Sequence, residues 1–389
     1  MRVLIDYRPA LREPSGVGEY THRLVQSLLA MRTTEPGLAL DITLFSSSWK
    51  DRLLPSPDRA GAAIVDRAVP VKLLNLLWHR FEWPAAETLA RRPFDVVHSL
   101  HPLLMPTRSA AQVIMIHDLD FLAHPERTRA EIRRDYPALA QAHAQRADRI
   151  MVPSQFTASE VQRQLGVPAE RLAICPPGAP DWTPRTTVPS NGYVLFFGTL
   201  EPRKNVGGLL DAYERLLATD AKNAGAAPGS ARPIPELILA GRATPEAAAS
   251  LERLSHAPLK GFVRHLGYVD PAKRRALYEN ARLLVQPSFE EGFGMPVLEA
   301  MTVGVPVVAA KRGSLPDVLG DAGPLVDPQQ PAAMAEAISH VLNDEGYARE
   351  CSVRGVARAA NFRWDRTARR VYDTYQEAID SRRRRGQSA

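Results

Sequence analysis

Short apolar runs alternate with amphipathic stretches along almost the whole chain. Continuous apolar runs of four or five residues are typical of strands that are buried on both faces of a parallel sheet. The stretches between them repeat apolar residues every three or four positions, as helices that cover such a sheet do. The pattern predicts strands at 3–5, 41–45, 95–98, 112–116, 149–152, 193–197, 236–240, 262–266, 282–285 and 305–309.

The amphipathic stretches predict helices at 19–31, 127–145, 154–165, 206–218 and 364–378. Ser154 is the expected N-cap of the third helix, because a serine hydroxyl can accept from the free N–H groups of the first turn. Residues 219–235 are rich in Ala, Gly, Pro and Ser and therefore predict a mobile surface insertion.

A segment rich in Pro and Gly at 176–192 interrupts the alternation, and the same pattern resumes after it. We therefore predict an α/β protein with two Rossmann-like, doubly wound parallel-sheet domains that face each other across a cleft. The predicted parts are an N-terminal domain at 1–178, a linker at 179–192, a C-terminal domain at 193–363, and a helix with a basic tail at 364–389 that could cross back to the first domain.

Charge and cysteine usage narrow the class of protein only a little. Lys and Arg number 49 against 43 Asp and Glu, and the net charge of +6 suits a phosphate-bearing ligand or an anionic lipid surface. Cys175 and Cys351 form no CxxC motif, so the sequence predicts neither a zinc site nor a disulfide framework.

The sequence has no apolar run near the ~20 residues that span a bilayer, and no signal-peptide cleavage region. We therefore expect a cytoplasmic protein. The basic cluster at 382–385 is either a solvated terminus or a contact with anionic lipid headgroups, so peripheral contact with the inner face of the membrane stays open.

Two glutamates in the C-terminal half of the chain carry the strongest chemical signal. Glu291 and Glu299 are separated by seven residues, and they follow the predicted strand at 282–285. Gly292 and Gly294 allow a tight loop, and an apolar helix begins directly after them. Both carboxylates could therefore face one ligand, while backbone N–H groups at the helix N-terminus could hold a phosphate.

A pair of cations follows the predicted strand at 193–197. Arg203 and Lys204 stand between that strand and the next predicted helix, shortly after Gly198. Arginine as a planar fork and lysine as a point charge can together stabilise the negative charge of a departing diphosphate. The pair therefore predicts a diphosphate site.

These blocks together resemble the E-x7-E signature and the Arg-Lys block of family-four retaining glycosyltransferases, which have the GT-B fold. The resemblance implies that Glu291 contacts the donor sugar, Glu299 the nucleotide ribose, and Arg203 with Lys204 the pyrophosphate. It implies a nucleoside diphosphate sugar as co-substrate, with no cofactor and no metal. Further donor-site residues that it implies are Gly198, Gly241, Tyr268, Gly292, Phe293 and Gly294.

The N-terminal half supplies candidate acceptor residues. Gly16 and Gly18 follow the first strand but lack the full GxGxxG spacing and a ribose acid, so we reject NAD binding. His117 and Asp118 follow the strand at 112–116, where a histidine can bind a sugar hydroxyl. His98 ends the preceding strand and is predicted to lie on the acceptor side. The resemblance implies that the glycine loop approaches the donor phosphates and the acceptor.

The resulting expectation is metal-independent, retaining transfer of a hexosyl unit to a hydroxyl of a glycan or lipid-linked acceptor in polysaccharide assembly. No nucleic-acid partner is expected. The donor base and sugar stay open, and general likeness to bacterial mannosyltransferases favours GDP-mannose. Two alternatives also stay open: a sugar-nucleotide 2-epimerase with the same architecture, and a non-catalytic nucleotide-sugar-binding protein.

Overall fold

The computed structural model describes residues 1–11, 16–35, 37–124, 136–224 and 234–387. The chain divides into two compact units. The first comprises Met1–Gly178 and Arg363–Ala389, and the second comprises Ala179–Phe362. The segment predicted as a linker is grouped with the second unit, where Ala179 and Trp182 pack against the core.

Within the described residues, the first unit is built on a seven-stranded sheet in the order β3-β2-β1-β4-β5-β6-β7, with every pair parallel. Its strands are β1 (Arg2–Asp6), β2 (Asp41–Ser47), β3 (Ala63–Arg67), β4 (Val96–Ser99), β5 (Ala111–Met115), β6 (Arg149–Val152) and β7 (Leu172–Ile174). Its helices are α1 (Val17–Thr34), α2 (Val71–Phe81), α3 (Ala86–Ala90), α4 (Asp120–Ala123), α5 (Tyr136–Arg146), α6 (Gln155–Leu165) and α14 (Trp364–Gln387).

In the described part of the second unit, six strands form a parallel sheet in the order β10-β9-β8-β11-β12-β13. Its strands are β8 (Tyr193–Phe197), β9 (Leu237–Ala240), β10 (Val263–Gly267), β11 (Ala281–Gln286), β12 (Val307–Ala310) and β13 (Leu325–Val326). Its helices are α7 (Val206–Ala224), α8 (Ala248–Arg253), α9 (Pro271–Glu279), α10 (Met295–Val303), α11 (Leu315–Leu319), α12 (Pro331–Asn343) and α13 (Glu345–Ala359).

The burial of each strand follows its position in the sheet. In the central strand β1, four of the five residues are buried, with Val3 opposite Ile42 on one side and Val96 on the other. In the edge strand β3 no residue is buried. This distribution is typical of a parallel sheet with helices on both faces, and the predicted α/β class with two Rossmann-like sheets is confirmed.

The C-terminal helix α14 belongs to the first unit. Val371, Tyr375 and Ala378 are fully buried in the core that also contains β1 and α1. The Tyr375 hydroxyl lies 2.8 Å from Nδ1 of His98 on β4. At the end of the helix, Arg385 Nη2 lies 3.0 Å from the buried carboxylate of Asp148. One arginine of the basic tail therefore pairs with its own unit.

The predicted helix cap at Ser154 is confirmed, because its hydroxyl accepts from the N–H of Thr157. The predicted insertion at 219–235 is wrong at its start, since α7 continues to Ala224; residues 225–233 lie outside the described residues. Residues 127–135 of the predicted second helix also lie outside the described residues. The sequence pattern missed the short edge strands β3, β7 and β13. In the described part of the chain, no helix has the length and apolarity needed to cross a membrane.

We predict that Tyr375→Phe lowers the free energy of unfolding by about 1–3 kcal/mol, because it leaves Nδ1 of the fully buried His98 without its hydrogen-bond partner. Urea unfolding checks this value. Tyr372→Phe on the same helix is the matched control and should change stability by less than about 0.5 kcal/mol, since Tyr372 is only partly buried. Equal effects of the two substitutions would contradict the structural role of the pair.

Candidate functional site

Glu291 is the centre of a buried polar cluster that follows strand β11. Its Oε1 lies 2.6 Å from Nζ of Lys204 and accepts hydrogen bonds from the Ser288 hydroxyl and the Gln286 amide, both at 2.9 Å. Gln286 and Ser288 are fully buried, and Glu291 is 6% exposed. Three donors therefore converge on one carboxylate oxygen.

The environment of Glu291 favours its ionised form. Burial alone would raise the pKa of this carboxyl, since a charge is costly in a poorly hydrated interior. The positive charges of Lys204 and Arg203, with the hydrogen bonds from Lys204 and Ser288, outweigh burial and lower the pKa below its ordinary value. The cluster therefore contains a buried carboxylate and a buried ammonium in direct contact.

Backbone contacts hold Glu291 in place from two sides. Its carbonyl accepts from the Ser314 hydroxyl at 2.9 Å and the Ser314 N–H at 3.2 Å. Gly313 has φ +59°, and a Cβ there would lie 2.9 Å from the backbone of Glu291. A side chain at Gly313 would therefore be strained and would push against the loop that carries Glu291.

The two predicted cations are placed differently. Lys204 is 9% exposed and makes the direct contact with Glu291, whereas Nη1 of Arg203 is 4.0 Å from the second carboxylate oxygen. Nε of Arg203 lies 2.7 Å from Glu201. The Arg203 carbonyl also accepts from the N–H of Phe289 at 2.8 Å, which ties the cation-bearing loop to the Glu291 loop.

Glu299 lies on α10 and is 2% exposed. It forms an ion pair with Arg274 of α9, whose guanidinium lies 3.5 Å from Oε1 and 5.8 Å from the ring centroid of Trp182. Nothing in the sequence pattern predicted the partner Arg274. Among the described residues, no three His, Cys, Asp or Glu side chains are grouped so that they could hold a metal ion.

The predicted loop before α10 makes a tight turn and also packs against the core of the second unit. Gly294 caps α10 with φ +100°, and a Cβ there would lie 2.7 Å from Leu315. Phe293 is 8% exposed and packs edge-on against Phe362, with ring centroids 5.6 Å apart. This burial favours a core role for Phe293 over the predicted substrate contact. Gly292 lies between Glu291 and Phe293 in the chain.

Gly198 and Gly241 meet where strands β8 and β9 end. A Cβ on Gly241 would lie 1.9 Å from the Gly198 carbonyl oxygen, so this approach requires glycine at 241. The next strand end carries Tyr268, which is 45% exposed and lies under the guanidinium of Arg242 at 4.6 Å from its ring centroid. At the carboxyl ends of these strands, the exposed side chains of Arg242 and Tyr268 thus lie beside the close backbone contact between Gly198 and Gly241.

In the first unit, His117 follows β5 and packs edge-on against Tyr20 of α1, with ring centroids 5.3 Å apart. Burial lowers the pKa of His117 to about 4, although a hydrogen bond with the Leu100 backbone opposes this shift. His117 is therefore neutral at pH 7. Asp118 accepts from the N–H of Asp120 at 3.3 Å and so stabilises the start of the next helix.

The structure argues against the predicted contact of His98 with an acceptor. Its ring is fully buried, its Nδ1 is held by Tyr375, and burial lowers its pKa to about 3. The other ring nitrogen, Nε2, is also buried. His98 therefore acts in packing within the first unit.

The two predicted glycines of the first loop differ in environment. Gly16 is exposed and stands at the N-terminus of α1 with φ +54°. Gly18 is buried, and a Cβ there would lie 2.6 Å from the Pro9 carbonyl oxygen. Gly18 is therefore needed for close packing of α1 against the turn after β1.

Two family profiles match the chain. The one described as "Glycosyltransferase Family 4" matches residues 14–181, and the one described as "Glycosyl transferases group 1" matches residues 185–357. The two matches together cover all six strands of the second sheet and strands β2 to β7 of the first. The chain thus belongs to the family-four glycosyltransferases of the GT-B fold.

Curated relatives extend the match over nearly the full chain. The O-antigen chain mannosyltransferase B of Escherichia coli is 29% identical over 96% of this chain and 99% of its own length. A D-inositol 3-phosphate glycosyltransferase of Acidothermus cellulolyticus is 27% identical over 96% of this chain and 88% of its own. Glycosyl transfer is therefore shared by relatives that span both units.

Solved structures share the fold at low sequence identity. Sucrose-phosphate synthase from Thermosynechococcus elongatus has a TM-score of 0.74 at 20% identity and covers 98% of this chain and 99% of its own. WaaG, described as a glycosyltransferase involved in lipopolysaccharide biosynthesis, has a TM-score of 0.65 at 16% identity, with 96% of this chain and 99% of its own covered. At such identities these neighbours show the fold alone.

We predict that Glu291 makes the stability of the protein pH-dependent in the acid range. Because the folded-state pKa is lowered, Glu291 stabilises the fold above the ordinary glutamate pKa of 4.5, and this contribution is lost as the pH falls through the folded-state value. Urea unfolding from pH 7 to pH 3 should therefore show a steeper loss for wild type than for Glu291→Gln. Glu336→Gln, at an exposed position on α12, is the control and should keep the wild-type slope.

Proposed function

We propose that the second unit binds the diphosphate of a nucleoside diphosphate sugar through Lys204 and Arg203, and that Glu291 binds the sugar. The observation that carries this proposal is the buried contact of 2.6 Å between Lys204 and Glu291. A buried ion pair gives little net stability compared with apolar residues of the same size. Its presence at the end of a parallel sheet of a glycosyltransferase therefore favours a role in ligand binding.

The hydrogen bonds around Glu291 allow its partner to change. A diphosphate carries more negative charge than one carboxylate and would compete for the Lys204 ammonium. Ser288 and Gln286 would still donate to Glu291 once Lys204 turned toward phosphate. The carboxylate would then stay ionised and could accept from a sugar hydroxyl. Ser288 and Gln286 thus act as positioning residues in this proposal.

The proposed reaction is retaining and independent of metal. The bond between the anomeric carbon and the diphosphate breaks, and the acceptor oxygen bonds to the same face of that carbon. The acceptor proton goes to the departing phosphate oxygen. Arg203 and Lys204 stabilise the charge that develops on the leaving group. On the first unit, His117 and Asp118, with the glycine loop at Gly16 and Gly18, bind the acceptor hydroxyl.

We propose GDP-mannose as the donor and a hydroxyl of a growing glycan or lipid-linked saccharide as the acceptor. The support comes from relatives, since the E. coli O-antigen chain mannosyltransferase matches both units of this chain. Incubation with radiolabelled GDP-mannose and mannose-terminated oligosaccharides tests transfer, and NMR of the product gives the anomeric configuration. An α-mannoside formed in EDTA supports retention without metal. Conversion of the donor alone, without an acceptor, would point to an isomerase.

We predict that Lys204→Ala weakens nucleoside diphosphate binding about 10- to 100-fold, because a charge-assisted hydrogen bond contributes about 1.5–3 kcal/mol. Calorimetric titration in EDTA with GDP, UDP, ADP and dTDP first identifies the base that binds. The best ligand is then titrated into the variant. Lys260→Ala, at an exposed position before β10, is the matched control and should bind like wild type. Unchanged binding by Lys204→Ala would remove the diphosphate assignment.

We predict a different result for Glu291→Gln. It should bind the free nucleoside diphosphate at least as well as wild type, since Lys204 no longer has its carboxylate partner. It should lose about tenfold in affinity for the matching sugar nucleotide, because the hydroxyl contact is no longer charge-assisted. The ratio of the two Kd values, measured by calorimetry, is the readout. Equal losses for both ligands would assign Glu291 to the nucleotide and not to the sugar.

A further inference from the structure

Tyr20 contacts two other aromatic side chains of the first unit. Its ring packs edge-on against His117, with ring centroids 5.3 Å apart, and against Trp364, with ring centroids 5.5 Å apart. Tyr20 belongs to α1, His117 follows β5, and Trp364 is the first residue of α14. The C-terminal helix therefore reaches a candidate acceptor residue through one intervening side chain.

The position of Tyr20 is fixed at its hydroxyl as well as at its ring. Tyr20 is 5% exposed, and its hydroxyl donates to the Cys175 carbonyl at 3.0 Å. The N–H of Cys175 in turn donates to the Val152 carbonyl at 2.8 Å, so the end of β6 holds this hydrogen-bond acceptor in place. The Tyr20 ring is thus attached at both ends.

Trp364 is held against the segment that leaves the first sheet. A Cβ on Gly178 would overlap the backbone nitrogen and the indole ring of Trp364, so this close approach requires glycine. About one turn further along α14, the hydroxyl of the buried Thr367 donates to the Pro176 carbonyl at 2.6 Å. The start of α14 is therefore fixed on residues 176–178, and Trp364 is a firm support for Tyr20.

The imidazole that Tyr20 contacts has a nitrogen that is not used within the fold. Among the described residues, Nε2 of His117 has no hydrogen-bond partner. The hydrogen bond with the Leu100 backbone opposes the lowering of the His117 pKa, which is the effect of a bond that the ring donates. The proton of the neutral ring is therefore on Nδ1, and Nε2 can accept from a hydroxyl.

A single acceptor nitrogen is useful only if the ring that carries it is oriented. The Leu100 contact holds His117 at Nδ1, and the edge-on contact with Tyr20 restricts the plane of the ring. Side chains that contact a substrate depend on such packing for their orientation. A displacement of about 1 Å at a substrate-positioning group can cost about 100-fold in rate. The residues behind His117 therefore matter for the reaction.

We infer that Tyr20 is a positioning residue for His117, and that Trp364 of the C-terminal helix holds Tyr20 in place. Nε2 of His117 then accepts a hydrogen bond from a hydroxyl of the bound saccharide. Neither Tyr20 nor Trp364 touches the reacting atoms. This inference rests on the proposed function for the role of His117, and it gives α14 a part in the reaction beyond its packing in the first unit.

Kinetics of the full chain with GDP-mannose and mannose-terminated oligosaccharides test the inference. Tyr20→Leu should lower kcat/KM for the oligosaccharide at least about tenfold, because His117 loses its support. Trp364→Leu should lower it in the same way, whereas Trp364→Phe keeps an aromatic edge and should stay within about twofold of wild type. The Kd of the best-binding nucleoside diphosphate should not change in any of them, since the proposed donor site lies in the second unit.

Tyr372→Leu is the matched control for the Trp364 variants. Tyr372 is also a partly buried aromatic residue of α14 and packs against the same core as Trp364. It makes neither of the two ring contacts of Tyr20. The control should therefore keep the kcat/KM of wild type.

NMR of the histidine side chains gives a readout that does not depend on transfer. The signal of His117, identified by its loss in His117→Gln, should show a neutral ring down to about pH 5, as a pKa of about 4 requires. In Tyr20→Leu water reaches the ring, and its pKa should rise to about 5 or higher. The nearby charge of His101, which also lowers this pKa, is the same in both proteins.

Tyr20→Phe separates positioning from stability. It keeps the ring and loses only the hydrogen bond to Cys175, so it should lower the urea midpoint but retain the wild-type titration of His117 and the wild-type kcat/KM. Equal losses of kcat/KM in Tyr20→Phe and Tyr20→Leu would reduce the role of Tyr20 to folding and overturn the inference.

The remaining outcomes distinguish this inference from the proposed transfer reaction. A folded Tyr20→Leu with the wild-type His117 titration and kcat/KM would overturn the inference alone. If circular dichroism shows that Tyr20→Leu does not fold, Trp364→Leu decides by the same two readouts. A wild type that transfers no sugar would contradict the proposed function, and the NMR titration would still decide whether Tyr20 and Trp364 position His117.

Discussion

The contact between the Glu291 carboxylate and the Lys204 ammonium is the interaction on which the second unit's site depends. Two opposite charges held 2.6 Å apart in the interior compensate each other but lose most of their hydration. Such a pair is maintained only where the remaining hydrogen-bonding capacity is met by other groups. Ser288 and Gln286 meet it on the carboxylate side. The four side chains therefore depend on one another and form one polar cluster.

This requirement extends into the backbone of the surrounding loops. Ser314 fixes the carbonyl of Glu291, and Gly313 lets the two loops approach closely. A backbone hydrogen bond from Phe289 to Arg203 joins the two loops that carry opposite charges. The strands β8 and β11, which precede these loops, are neighbours in the sheet. Sheet order therefore brings together residues that are 87 positions apart in the chain.

Much of this arrangement could be predicted from the sequence. Strand β8 has the predicted bounds, because an uninterrupted run of five apolar residues between polar segments indicates a buried strand. Lys204 and Glu291 could be named because each follows such a strand, where the ends of parallel strands gather. The edge strands escaped prediction because they are short and partly exposed, so their pattern resembles that of loops. The Ala-, Gly-, Pro- and Ser-rich composition of residues 219–235 hid the last residues of α7, which continues to Ala224.

The sequence could not predict which side chains contact the candidate site residues in the folded protein. Ser288 and Gln286 stand just before the E-x7-E motif, and their signal was polarity at the end of a buried strand. Arg274 and Tyr375 had no such signal, because helix packing alone brings them to Glu299 and His98. His98 was assigned to the acceptor because of its place at a strand end, but α14 covers it. Periodicity finds the face of a helix but cannot say which strand that face meets.

A structure of the chain with its best-binding nucleoside diphosphate is the decisive test of the role of Lys204 and Glu291. We expect a phosphate oxygen within hydrogen-bonding distance of Lys204 Nζ, with the distance from Lys204 to Glu291 lengthened beyond 2.6 Å and the Ser288 and Gln286 contacts to Glu291 retained. A diphosphate bound elsewhere, with the Lys204–Glu291 contact unchanged, would contradict this role. In that case the ion pair would be a structural element of the second unit and the donor site would have to be sought at other residues.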